Sequence, residues 1–490
     1  MARTKGSTEL FDLIHSLSPE EKGYYKKFSK RHIPNGSNYL KLFDAIAAQD
    51  AFEEATLRAR FKNYTVMKVY LKDFITDSLL LYYKNKHPHV NLLSQVQKVH
   101  ILLVKGQYTE AVRILKKTLV QSRKLELFTI ERYLLRIWAE INHHRLTHPD
   151  AIIEFQQQYA NNLKQNLVYE TDLSEWELRS TEWLAKVRGL DMFDKPQPDV
   201  NVNSMQKLDT LGIRSEIKKL NCLSYLHLLR KEINEKHRVN KQLLDLSEKF
   251  KREGDQSYNN VYIRNNYISC LLDLNQFTDT IRQSDEMIKS ESKFGYYEHL
   301  AFPKAILFKL DAYYHLGKFK EGLDLVYEVE KKMQQISDSL GDYTAWKEFC
   351  FFKHTFLFVN RRYRECWIDM QSVDLKTLQK NYPPEYADYS LLALMLQYEM
   401  NNFGTLKNMV TKTAQNFNKT GITDETYLQL VAFFKAVKPE NAKALAEKTV
   451  TTLDAYYKKT GLQPRRCFAL VGYTQWLKAV SQQKYLEDLL

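Results

Sequence analysis

Residues 104 to 115 read VKGQYTEAVRIL, and Gly106 interrupts two stretches that otherwise favour helix. Glycine inside a helix costs about 1 kcal/mol relative to alanine, so Gly106 reads as a helix end in the left-handed conformation. HLGKFKEGLDLV at 315 to 326 has the same form. Each stretch has a glycine (Gly106, Gly317), an aromatic two residues on (Tyr108, Phe319) and a small residue five on (Ala111, Gly322). Looser copies are LNQFTDTI with Asn275 and Phe277, NRRYRECW with Arg361, Tyr363 and Cys366, and MNNFGTL with Asn401 and Phe403. Glycine and asparagine tolerate positive φ. The aromatic opens the next helix and packs back, and the small residue lets two helices approach.

From 275 to 317, 361 and 401 the steps are 42, 44 and 40 residues. A second series of breakers falls between them: REGD at 252 to 255, KFG at 293 to 295, SLGD at 339 to 342, NYPPE at 381 to 385, TGITD at 420 to 424 and TGLQP at 460 to 464. Two interleaved series with a period of about 41 describe helical hairpins with helices of roughly 15 to 18 residues. YISCLLDL and FCFFKHTFLF, between breakers, are nearly all apolar, as helices buried between neighbours are. KHPH at 86 to 89, THPDA at 147 to 151 and Gly189 extend the pattern backwards; the copy around 234 to 240 lacks a glycine.

Composition agrees with an all-α fold. Only 15 Gly and 11 Pro punctuate 490 residues, and no regular alternation of apolar and polar residues supports a sheet. The stretch FDKPQPDVNVNS at 193 to 204 reads as a hinge loop. The expected division is an N-terminal basic helical module over 1–84, first hairpins over 85–192, the hinge, and further hairpins over 205–490. In the N-terminal module, SPEE at 18 to 21 is a capping box with Ser18 as N-cap, Pro19 at N1 and Glu21 at N3.

The turns GQYTEA and GKFKEG resemble those of tetratricopeptide-like α-solenoids over residues 90 to 480. The longer period and the missing Trp-x-x-Leu-Gly start depart from that family. The stretches LFDLIHSLSPEEKGYYKKF and NYLKLFDAI are similar to the start of a family of uncharacterised bacterial helical-repeat proteins. The resemblance implies a right-handed α-solenoid of antiparallel hairpins and no particular activity.

The N-terminus, MARTKGSTELF, lacks a signal-peptide core, and the apolar run LLALML at 391 to 396 is too short to span a bilayer. Five widely spaced cysteines (Cys222, Cys270, Cys350, Cys366, Cys467) without C-x-x-C suit a reducing, cytoplasmic compartment. No phosphate loop, dinucleotide fingerprint or nucleophile elbow occurs, so no enzyme activity, cofactor or small-molecule substrate is expected. HHRLTH places His144 and His148 four apart, a spacing two metal ligands need on a helix, yet without the glutamate of H-E-x-x-H or a third ligand. These histidines, and HPH at 87 to 89, read as surface or turn residues.

The charge is the informative property. Of a net +13, residues 1 to 150 carry +10, from 25 Lys and Arg against 15 Asp and Glu. Arg113, Lys117 and Lys124 fall on one helix face; Arg132, Arg136 and His143 repeat that geometry on the next helix. YYKKFSKRH at 24 to 32 interleaves aromatics with Lys26, Lys27, Lys30 and Arg31. A solvated face explains each alone; together they suit an acidic partner, either nucleic acid or an acidic protein surface. FEEATLRARFKNYTVMKVYLKDF at 52 to 74 can be read as helix-turn-helix with Thr65 capping the second helix. Val66, Met67, Val69, Tyr70 and Leu71 make that helix too apolar for base recognition, so it is expected to pack as a cap.

Three functions fit: a non-catalytic scaffold holding a protein or peptide on its concave surface, a nucleic-acid or ribonucleoprotein binder led by the basic third, and a peptide-responsive regulator.

Overall fold

The computed structural model describes residues 8–32, 38–50, 52–145, 149–189, 205, 207–252, 259–291, 295–340, 344–460, 466–467 and 471–488. Among them are twenty-three α-helices, and the only extended pairing joins the two-residue strands Arg466–Cys467 and Val471–Gly472. The protein is all-α. Among the described residues no helix is long and apolar enough to cross a membrane. The proposed hinge at 193–204 lies outside the described residues.

One local device recurs along the chain. Gly106, Glu126, Lys231, Asn275, Gly317, Arg361 and Asn401 all adopt φ between 52° and 71°. Except at Asn275, where only the first bond is present among the described residues, the positive-φ residue donates its N–H to the carbonyl three back and its successor donates to the carbonyl five back, as in Gly106→Leu103 and Gln107→Leu102. This Schellman closure satisfies carbonyls that a helix end otherwise leaves open. Two residues past the turn an apolar side chain opens the next helix. At three of the turns it packs on the residue three before: Tyr314 on Phe319 (5.8 Å between ring centroids), Phe358 on Tyr363 (5.4 Å) and Tyr398 on Phe403 (5.9 Å). Five residues past each turn the residue is buried: Ala111, Glu131, Lys236, Thr280, Gly322, Cys366 and Leu406.

Three of these copies, at Glu126, Lys231 and Arg361, escape a search for glycine or asparagine, and the first two also lack a small residue five on. Glu126 and Lys231 occupy the left-handed position, and charged residues, Glu131 and Lys236, stand five on. Each buried charge is paired: Glu131 with Arg123, and Lys236 with Asp273 at 3.2 Å. A buried charge is tolerated only when such a partner replaces its water.

Helix lengths depart furthest from the expected 15 to 18 residues in two places. Pro149–Gly189 is a single helix of 41 residues, because no glycine or proline lies between its ends. Tyr363–Met370 and Leu375–Asn381 share the span expected for one helix. There Asp374 accepts from the N–H groups of Lys376 and Thr377 and starts a new helix.

The chain forms two compact units, one of residues 1–275 with 287–301 and the other of 276–286 with 302–490. In the first, residues between Leu10 and Ile75 make a core of their own, including Ile14, Tyr25, Phe43, Leu57 and Leu71. The capping box is present: Ser18 N–H donates to Glu21 (2.7 Å) and Glu21 N–H to Ser18 Oγ (3.2 Å). Thr65 is not a cap. The helix Tyr64–Tyr83 begins after left-handed Asn63, and Thr65 Oγ1 accepts from Arg58 instead. Met67 and Leu71 are buried as expected, but Val66, Val69 and Tyr70 face solvent.

Candidate functional site

The nine candidate basic residues fall on three helices, Pro19–His32, Tyr108–Lys124 and Phe128–Arg145, and all are exposed. Four are already matched by acids. Arg113 grips Glu110 through two bonds (2.7 and 2.6 Å), Arg132 meets Glu170 (2.7 Å), Arg136 meets Glu140 (3.4 Å), and Lys26 meets Asp44 (2.7 Å). Lys27, Lys30, Arg31, Lys117 and Lys124 have no acidic partner among the described residues. The open cations therefore fall in two groups, Lys27, Lys30 and Arg31 on one face of Pro19–His32, and Lys117 with Lys124 on one face of Tyr108–Lys124.

A denser arrangement lies where the turn at Glu126 meets the long helix. Left-handed geometry at Glu126 throws its side chain towards the start of Ile213–Leu229. There its two carboxylate oxygens accept the N–H groups of Ile213 and Arg214, each at 2.7 Å. A carboxylate on a helix N-terminus satisfies open donors and complements the dipole. Arg214 Nε returns a bond to the Leu125 carbonyl at 3.0 Å. Beside it, buried Glu131 accepts from Arg123 Nε (2.7 Å) and from Asn166 Nδ2 (3.0 Å). Asn166 Nδ2 also donates to the Phe128 carbonyl at 2.9 Å, which fixes the amide orientation. Its buried Oδ1 then has no hydrogen-bond partner among the described residues.

Arg123, Glu126, Phe128, Glu131 and Asn166 line a cavity of about 310 Å³ together with Gln165, Tyr169 and Leu211, and Phe128 stacks on Tyr169 at 5.6 Å. A second, more open cavity of about 420 Å³ lies on neighbouring turns of the same two helices, between Arg132, Leu167, Glu170, Ser174 and Leu178. Both sit at the low end of ligand-pocket volumes, roughly 300–1,000 Å³. Arg123, Glu126, Glu131 and Asn166 are absent from the sequence-derived candidates. The 20-residue step from Gly106 to Glu126, half the period, is the signal that marks them.

Apolar side chains are exposed on several helices of this unit. Pro88–Val104 presents Leu93, Ile101 and Val104, the last 84% exposed. On Phe128–Arg145 Tyr133 is exposed, and its hydroxyl meets His100 Nε2 at 2.7 Å.

In the second unit, buried Lys353 bridges Glu330 (2.6 Å) and Asp369 (2.5 Å), and buried His354 bonds Asp369 at 2.8 Å. Burial works against the charge of Asp369, but hydrogen bonds from His354 and Lys353 outweigh it and hold the carboxyl at about 2. This cluster ties Phe319–Leu340, Thr344–Val359 and Tyr363–Met370 together. Burial pushes the thiols of Cys222 and Cys350 up to about 11 and about 12, and those of Cys270 and Cys366 up as well. Thiols so placed are packing groups rather than nucleophiles. Among the described residues no cluster of His, Cys, Asp and Glu is placed to hold a metal. The side chains of His143, His144, His148 and Cys467 lie outside the described residues.

No protein-family model matches the sequence, and comparison with curated proteins finds no significant match.

Proposed function

We propose that the hairpins stack as a tetratricopeptide-like, right-handed α-solenoid, and that the chain is a non-catalytic cytoplasmic scaffold for a protein or peptide partner. Stacking is supported by links between the first helices of successive hairpins. In one unit these are the His100–Tyr133 bond; in the other, the Lys304–Glu348 (3.1 Å) and Lys347–Glu385 (2.9 Å) pairs. First helices in register form the inner wall of a solenoid groove.

The observation that carries the reading is the outward face of Pro88–Val104. Leu93, Ile101 and Val104, at i, i+8 and i+11, are exposed on one side, whereas an unpartnered surface helix is polar there. A protein partner is favoured over nucleic acid because four of the nine candidate cations, Arg113, Arg132, Arg136 and Lys26, already hold acidic neighbours, which leaves five open on two separate helices. Phosphate recognition draws on unpaired cations.

The test is capture from cytoplasmic extract on the immobilised full chain, with and without nuclease, beside the variant Ile101→Glu/Val104→Glu. The expected result is a defined protein partner, indifferent to nuclease, lost in the variant while its melting temperature holds. Capture that disappears with nuclease, or persists in the variant, overturns the reading.

A further inference from the structure

The helix Tyr64–Tyr83 is apolar on two opposite sides. One side, with Met67, Leu71 and Ile75, is buried in the N-terminal core. The opposite side presents Val66, Val69, Tyr70, Leu80 and Leu81, with Val69 58% and Leu80 54% exposed. Steps of 3, 1, 10 and 1 residues keep these five on one face. Asp73 and Asp77 occupy the gap in the middle of that face. Both are exposed, and among the described residues neither has an ion-pair or hydrogen-bond partner.

That lack is informative because the surroundings are basic. Lys72, on the same helix, turns away to Glu9 at 2.8 Å, and Lys68 lies over the Phe52 ring at 6.0 Å. Within a stretch carrying +10 over 150 residues, two carboxylates are left open between two apolar pads. From Val66 to Leu81 the face spans 15 residues, about 22 Å at 1.5 Å per residue. We propose that this face docks one amphipathic helix of a partner protein, whose apolar stripe covers Val69, Tyr70 and Leu80 and whose central lysines or arginines meet Asp73 and Asp77. This rests on the protein-partner reading and assigns it a second surface, separate from Pro88–Val104.

Charge decides among the possible occupants. Nucleic acid and anionic membranes are repelled by Asp73 and Asp77. A second copy packed antiparallel about a two-fold axis brings these aspartates against their own images near the helix centre, which like-charge repulsion disfavours. A basic helix satisfies both the apolar and the acidic parts.

The experiment titrates the full chain with two labelled 18-residue model helices, followed by fluorescence anisotropy. Both carry the same leucine stripe; one bears two central lysines, the other two central glutamates. The lysine helix is expected to bind with micromolar affinity and at least tenfold more tightly than the glutamate helix. Asp73→Lys/Asp77→Lys should reverse that preference, and Val69→Asp should abolish binding of both. Melting of the N-terminal core is followed in each variant, since all three positions are exposed and should leave it unchanged.

No discrimination between the two peptides, or discrimination untouched by the charge reversal, overturns the proposal. So does binding of the full chain to phosphatidylserine vesicles that Val69→Asp removes, which names a membrane as the occupant. Sedimentation showing a dimer lost in Val69→Asp overturns it in favour of a second copy. None of these results bears on capture through Ile101 and Val104, so failure here and failure of the protein-partner reading are told apart.

Discussion

Gly322 offers a test of helix approach in which the sign of the effect is the readout. It lies in the first turn and a half of Phe319–Leu340, and a Cβ built there falls into the Phe356 ring, 2.7 Å from Cδ1 and nearer still to Cε1 and Cζ. Phe356 is fully buried and has Tyr314 against it at 6.5 Å, so the ring cannot swing into solvent. Two opposed terms follow for Gly322→Ala. Helix propensity stabilises it by up to about 1 kcal/mol, while forcing a methyl into a packed crossing costs about 1–3 kcal/mol. An overlap this deep puts the cost in the upper half of that range, about 2–3 kcal/mol, so the net is a destabilisation of about 1–2 kcal/mol, larger for Gly322→Leu.

The assay is urea unfolding by circular dichroism, with hydrogen exchange in Phe319–Leu340 and Thr344–Val359 reporting the local change. The local probe matters because a chain of two units need not unfold in one step. Phe356→Ala alone leaves a cavity and costs about 3–5 kcal/mol. Combined with Gly322→Ala it should be less harmful than the sum by about 1–2 kcal/mol, since the added methyl enters the space the ring vacates. If Gly322→Ala raises stability, propensity alone is acting and the close approach is refuted. Strict additivity with Phe356→Ala refutes it equally.

Three further outcomes are expected. Glu126→Ala removes both acceptors from the start of Ile213–Leu229, at a cost of about 1–2 kcal/mol, and should speed exchange at the amides of Ile213 and Arg214. Asp369 is held at about 2, below its ordinary value of 3.8, so it stabilises the fold by about 2 kcal/mol above pH 4 and loses that as pH falls towards 2; Asp369→Asn should flatten this acid limb of a pH titration of stability. Lys117→Glu/Lys124→Glu should leave the melting temperature unchanged, because both side chains are exposed and without acidic partners among the described residues; if nucleic acid binds at low salt, the slope of log K against log salt should flatten by about 0.7–0.9 for each phosphate no longer engaged.

How much of this was legible in the sequence depends on whether the deciding interaction is local. The turns at Gly106, Asn275, Gly317 and Asn401 read directly, because positive φ and the aromatic two residues on are encoded within a few positions, and the turn at Arg361 reads from Tyr363 and Cys366 alone. The same holds for Ser18 and Glu21, three apart. Glu110 is as close to Arg113, yet the reading of a basic face passed over that pair. The turns at Glu126 and Lys231 were hidden because distant partners offset what their local sequence disfavours. Glu126 accepts a poor conformation for a residue with a Cβ, and its carboxylate gains a helix N-terminus 87 positions away. Lys236, five past Lys231, is buried against Asp273, 37 positions on.

The basic surface shows the same division from the other side. Composition located the positive charge, but Arg132 is matched by Glu170, a residue that only the fold brings to it. Val66, Val69 and Tyr70 are the sharpest case. Their apolar character argued for burial, and burial did claim Met67 and Leu71 on the opposite side of the helix. A helix apolar on both sides within a small core has one side too many for its own module. On the docking proposal, the residues that failed the local rule are the ones a partner covers, and Asp73 and Asp77 set the charge that partner carries.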